Sequence, residues 1–131
     1  MLLVKIVREA AVSMRIVQPP SKSKECAAAK RYIDENFSEN ITLDKLAEIT
    51  HVNKYYLSHT FQREYNTSPI NYLLNRRITE SKALLTSTDF SLTQISEQMG
   101  FSSPAYFSQS FRRFTGQSPL EYRRKNQPGK K

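Results

Sequence analysis

The chain is poor in the residues that small proteins use to staple or pivot themselves. It holds one cysteine, Cys26, in 131 residues. An internal disulfide and a thiolate zinc cluster are both excluded, and a reducing compartment, the cytoplasm, is expected. Only three glycines are present. With no regular apolar–polar alternation, this argues against an all-β fold. Neither a GxGxxG turn nor a P-loop is found. His51 and His59 miss the i, i+4 spacing of a helical metal pair, and no nucleophile motif occurs. No enzyme activity, cofactor or metal is therefore expected. The longest apolar stretch, residues 2–17, carries Lys5, Arg8, Glu9 and Arg15. It is too short and too charged to span a bilayer, and it lacks a secretory core and cleavage site. Acid is scarce beside base: 12 Asp and Glu against 20 Lys and Arg, a net charge of +8. Such a balance suits a polyanionic partner, nucleic acid ahead of a membrane. The bias is strongest from Arg112 to Lys131, where Glu121 is the only acid.

What the chain does have is a sentence said twice. Residues 42–72 read TLDKLAEITHVNKYYLSHTFQREYNTSPINY, and residues 91–122 read SLTQISEQMGFSSPAYFSQSFRRFTGQSPLEY. Aligning Thr42 with Ser91 and Phe61 with Phe111 requires one extra residue in the second copy, between Ser102 and Ala105. Two copies at a period of about 50 indicate a supersecondary unit used twice, a tandem binding module rather than a solenoid.

Each copy carries the punctuation of a short helix, a tight turn and a longer helix. Thr42 and Ser91 cap the short helices, with Ser91 and Gln94 forming a capping-box pattern. Small Ala47 and Ser96 permit close helix crossing, and His51 and Gly100 fall where a left-handed turn residue is needed. Longer helices are expected over 54–65 and 104–115, capped by Asn53 and by Ser103 with Pro104 at N1. Asn66 and Gly116 suit their left-handed C-caps. Ser68-Pro69 and Ser118-Pro119 then restart helices, the first a long linker over 69–86 and the second a terminal helix over 118–125. Another helix runs from about Glu25 to Phe37. Residues 2–17 show amphipathic spacing and Gln18-Pro19-Pro20 reads as a linker. That N-terminal helix is open to three readings: the tail of an effector-binding domain, a dimer helix, or a helix packed on this domain. The linker favours the first, which would make this a fragment of a longer chain. The fold class is all-α: two helix-turn-helix units joined by a long helix, about seven helices, homeodomain-like. Residues 1–20 are set apart from a domain over 21–131, whose helix-turn-helix units span 42–66 and 91–116.

Leu57, Phe61, Phe107 and Phe111 mark the buried faces of the longer helices. Their opposite faces carry Lys54, Tyr55, Ser58, His59 and Gln62 in the first copy, and Ala105, Ser108, Gln109 and Arg112 in the second. Small polar groups with Gln, His and Arg can meet base edges in a major groove, while Lys54, Arg63, Arg112 and Arg113 at the margins suit phosphates. One such helix would read as a solvated surface. Two matched helices on a basic chain point to duplex DNA. The aromatic residues are expected on core faces, leaving no stacking platform for single-stranded RNA. Arg76 and Arg77, on the linker helix, are open to two readings, an ion pair with Glu80 or a phosphate contact; Arg76 is placed with the phosphate contacts.

The segments YLSHTFQREYNTSPINYLLNRRI and GFSSPAYFSQSFRRFTGQSPLEYR resemble the DNA-binding domain of AraC/XylS-type bacterial transcription regulators. The resemblance covers about Lys24 to Arg124, and the second segment is close to that family's signature. It implies seven helices, with two recognition helices entering successive major grooves on one face of the duplex. It also implies promoter-proximal sites and, for most members, activation through contact with RNA polymerase. Carried over by position, the base-reading residues are Tyr55, Ser58 and His59, then Ala105, Ser108 and Gln109; Gln62 joins them from the stripe. Many relatives have arginine where His59 and Gln109 stand, so a bidentate guanine contact is not expected there. His51 replaces the usual glycine, at an expected strain of ~1 kcal/mol. The alternatives are a non-specific nucleic-acid-binding module and a protein-interaction or dimerisation module using the N-terminal amphipathic helix; a homodimer within a longer chain is a further partner considered.

Overall fold

The computed structural model describes residues 23–128 and contains seven helices and no strand among them: α1 Lys24–Asn36, α2 Leu43–Thr50, α3 Lys54–Tyr65, α4 Pro69–Ser87, α5 Leu92–Gln98, α6 Pro104–Thr115 and α7 Pro119–Asn126. The expected helix over 2–17 and its Gln18-Pro19-Pro20 linker lie outside the described residues. Each of the seven helices begins on a polar side chain that accepts from a backbone amide two or three positions ahead. The caps are Ser23, Thr42, Asn53, Ser68, Ser91, Ser103 and Ser118. Such caps contribute about 1 kcal/mol each by satisfying amides that have no partner inside the helix. Ser91 with Gln94 and Ser118 with Glu121 form full capping boxes.

The C-terminal ends follow the same local logic. Asn66 and Gly116 stop α3 and α6 at φ 60° and 83°. His51 and Gly100 occupy the matched turn positions at φ 61° and 87°. The turns are the same to the hydrogen bond: Val52 donates to Ala47 O at 3.2 Å, and Phe101 donates to Ser96 O at 3.0 Å. Because Asn53 and Ser103 then cap α3 and α6, the extra residue of the second copy is Ser102.

Packing repeats as well. Residues 57–69 and 107–119 share the same burial class at every position. Phe61 meets Tyr72 edge-on with ring centres 6.0 Å apart, and Phe111 meets Tyr122 edge-on at 5.4 Å. Each pair adds roughly 0.5–1.5 kcal/mol beyond its area. The repeated unit is therefore larger than helix-turn-helix. It is a four-helix arrangement in which α4 closes the first unit and opens the second. Its Leu73 enters the core of Cys26, Ala29, Ile33, Leu46, Leu57 and Phe61. Leu74, Ile78 and Leu85 enter the core of Ile95, Phe101, Phe107 and Phe111. Phe37 and Ile70 touch both clusters. With 19 residues, α4 is about 28 Å long.

Candidate nucleic-acid interface

Packing Leu57, Thr60 and Phe61 inward turns the opposite stripe of α3 to solvent, and packing Phe107, Ser110 and Phe111 does the same for α6. Tyr55 is 67% exposed. His59, Gln62 and Arg63 are exposed, while Lys54 and Ser58 are half-buried. On α6, Ala105, Gln109, Arg112 and Arg113 are exposed and Ser108 is half-buried. The residues singled out as base-facing thus fall on two matched, open stripes, one per unit.

The cations flanking these stripes differ in how far they are already engaged. Lys54 Nζ lies 3.2 Å from Asp44 and 5.7 Å from the Tyr55 ring centre. The Asp44 hydrogen bond raises the Lys54 pKa, so the ammonium stays charged. Both partners face water, where such a pair is weak enough for a phosphate to compete. Arg112 reaches Glu121 only at 3.7 Å and stays exposed. Arg113 donates to Asn71 Oδ1 at 2.8 Å and lies over Phe114, tying the end of α6 to the start of α4.

Arg76 is already engaged. Its Nε is 3.1 Å from Asp34, its NH1 is 3.2 Å from Glu80, and it stacks on Phe37 at 4.7 Å. The ion-pair reading with Glu80 holds, extended by Asp34 of α1. Two carboxylates already offset its charge. Asp34 also accepts from Tyr72 Oη at 2.6 Å. Burial and that carboxylate both raise the Tyr72 pKa, so the phenol stays protonated as donor. This network holds α1 to α4. Of the C-terminal cations, Arg123 turns inward and donates to the carbonyls of Leu85 and Thr88.

One expectation about the tyrosines is corrected. Not all aromatic residues sit on core faces: besides Tyr55, Tyr56 is 48% and Tyr106 38% exposed. These two are matched third residues of α3 and α6, just outside the apolar stripe that begins at Leu57 and Phe107. Their repetition at equal register was the available signal. A phenol at a helix margin can donate to a phosphate. Among the described residues no group of three His, Cys, Asp or Glu side chains is placed to hold a metal, and no helix is long and apolar enough to cross a membrane.

The chain is similar to known proteins. Residues 46–125 match the family model described as a helix-turn-helix domain. The chain is 41% identical over 93 residues to YdiP of Escherichia coli K12, an uncharacterised HTH-type transcriptional regulator, covering 71% of this chain and 31% of that protein. It spans 37% of the length of a second curated relative, YisR of Bacillus subtilis, so it corresponds to about a third of such proteins. Among solved structures, the C-terminal domain of AraT, a response regulator from Geobacillus stearothermophilus, superposes with a TM-score of 0.78 at 33% identity. That match covers 82% of this chain and 90% of that one. The DNA-binding domain of the global transcriptional factor AdpA, solved in complex with a target DNA, superposes with a TM-score of 0.71 at 25% identity. Here 76% of this chain and 89% of that one are covered.

Proposed function

This chain belongs to the AraC-type family of helix-turn-helix transcription regulators, and on that premise we propose that it reads duplex DNA sequence-specifically through α3 and α6, without catalysis. The observation that carries this reading is the doubled stripe: two helices in the same packed setting present their polar faces to solvent at either side of one α4. On this reading the two helices enter successive major grooves on one face of the duplex, about 34 Å apart. Tyr55, Ser58, His59 and Gln62 face the bases of one groove, and Ala105, Ser108 and Gln109 those of the next. Lys54, Arg63, Arg112 and Arg113 approach the phosphates, joined by Tyr56 and Tyr106 and without Arg76. The net charge of +8 supports attraction to the backbone and predicts a steep salt dependence. Activation through contact with RNA polymerase, as in most of the family, and work in the cytoplasm complete the proposal.

Selection of bound sites from a random duplex library at moderate salt tests it. The expected result is an enriched motif of two blocks one helical turn apart. Recovery of unenriched DNA refutes specific readout and leaves a charge-driven module.

A further inference from the structure

Arg77 is a charged residue with 6% exposure. Its Nε donates to the Phe37 carbonyl at 2.6 Å and its NH2 to the Glu39 carbonyl at 2.7 Å. Phe37 is the C-cap of α1. The guanidinium carbon also lies 5.5 Å from the ring centre of Phe101, the residue after the second unit's turn glycine. A Cβ added at Gly100 would stand 2.5 Å from the Ser38 oxygen and 3.2 Å from Arg77 NH2. One guanidinium therefore joins three things: the end of α1 in the first unit, the middle of the shared α4, and the turn that aims α6.

Burial lowers the Arg77 pKa, and among the described residues no carboxylate pairs with it. Its counter-charge is the carbonyl end of α1, which carries about half a negative charge. A buried cation without a carboxylate is an expensive way to fill space, and α4 offers aliphatic residues on either side that do so. The duplication supplies an internal control. Gln127 stands 50 positions on and donates to the Thr88 carbonyl at 2.9 Å, the counterpart of the Glu39 bond. Arg123 also donates to the Leu85 and Thr88 carbonyls there, so a guanidinium on two carbonyls at a helix end is found in both copies. What the first copy adds is the contact of its guanidinium with Phe101, in the turn of the unit that follows.

We infer that Arg77 is a positioning residue for DNA reading: it locks α6 against α3 and so sets the spacer between the two base blocks. The inference rests on the two-groove reading above. It makes base preference within each block a property of α3 and α6, and block spacing a property of the Arg77 junction.

The test uses the selected motif with its spacer lengthened or shortened by one base pair, and compares the wild type with Arg77→Met and Gly100→Ala. Wild type is expected to lose about tenfold on either altered spacer, the scale of one mismatched contact. Both variants are expected to lose about threefold or less, while keeping wild-type discrimination against base changes inside each block. A variant that is merely less stable binds every duplex in the same proportion as before. An unchanged spacer profile in both variants overturns the inference. If Arg77→Met does not fold, Gly100→Ala decides, since it wedges the same junction with Arg77 in place. A parallel readout needs no DNA: spin labels at Gln62→Cys and Arg112→Cys, with the native Cys26 buried. Broader label-to-label distances in the variants, with a sharp wild-type distribution, support the lock, and identical distributions overturn it. Should wild type yield no two-block motif, the two-groove reading falls and the label distances alone decide whether Arg77 holds the units.

Discussion

Gly100 and His51 occupy the same turn position in the two units with left-handed φ of 87° and 61°, yet one is glycine and the other carries an imidazole. The turn alone cannot explain the difference. His51 is exposed, whereas Gly100 packs against the end of α1. Gly100→Ala therefore meets two separate penalties. The left-handed strain of an alanine, about 1–2 kcal/mol, is partly offset by about 0.4–1 kcal/mol from the stiffer unfolded chain. The second penalty is steric: the new methyl would lie 2.5 Å from the Ser38 carbonyl oxygen. Backbone at Ser38 has to withdraw, and the flanking carbonyls of Phe37 and Glu39 are the ones Arg77 holds. Loss of a hydrogen bond to a charged group costs about 1.5–3 kcal/mol. The sum for Gly100→Ala is about 2–4 kcal/mol. The matched change, His51→Gly, relieves strain and loosens the unfolded chain by similar amounts, so it should stay within about 0.5 kcal/mol of wild type. Urea denaturation at constant m-value measures both. A cost below about 1 kcal/mol for Gly100→Ala would mean that only its dihedral matters, and the close approach to Ser38 would lose its energetic meaning.

Further outcomes follow from particular residues. The buried Ser96 hydroxyl has no hydrogen-bond partner among the described residues and stands where the first unit has Ala47; Ser96→Ala should stabilise by about 1 kcal/mol in urea titration, and a loss instead would show that the hydroxyl is satisfied. Arg63→Ala or Arg112→Ala should weaken cognate and random duplex alike and reduce the salt slope by about 1; loss on cognate DNA alone would assign that residue to base readout. Gln109→Ala or His59→Ala should cost about 1–3 kcal/mol on the cognate site only, measured by titration against matched random duplex. The Ser118 amide donates to Glu121 at 2.8 Å and lowers its pKa. A lowered folded pKa means that the carboxylate stabilises the fold above its unfolded value, about 4.3, and that this is lost as pH falls through the folded value. Urea midpoints of wild type and Glu121→Gln should therefore differ at pH 6 and converge below about pH 4; a constant gap across that range would contradict the assignment.

Whatever depends on near neighbours is legible in the chain before it folds. Ser23, Thr42, Asn53, Ser68, Ser91, Ser103 and Ser118 each satisfy an amide within three residues, so their helix starts are legible before any fold is known. The left-handed stops at Asn66 and Gly116 are equally local, as is the spacing that buries Phe61 and Phe111 and leaves His59 and Gln109 exposed. Repetition made these signals stronger, because each was written twice. The arginines are different. Arg76, Arg77, Arg113 and Arg123 look alike in the chain, and their fates are settled by groups about 40 residues away: Asp34, the Phe37 and Glu39 carbonyls, Asn71, and the Leu85 carbonyl. Tyr56 and Tyr106 likewise stay exposed because the cores close on Leu57 and Phe107 first. Only the tertiary structure shows that α4 belongs to both units at once, and that Gly100 is needed for the space beneath it as well as for its φ. A cap needs one neighbour, whereas the place of a buried charge is decided by every element that packs around it.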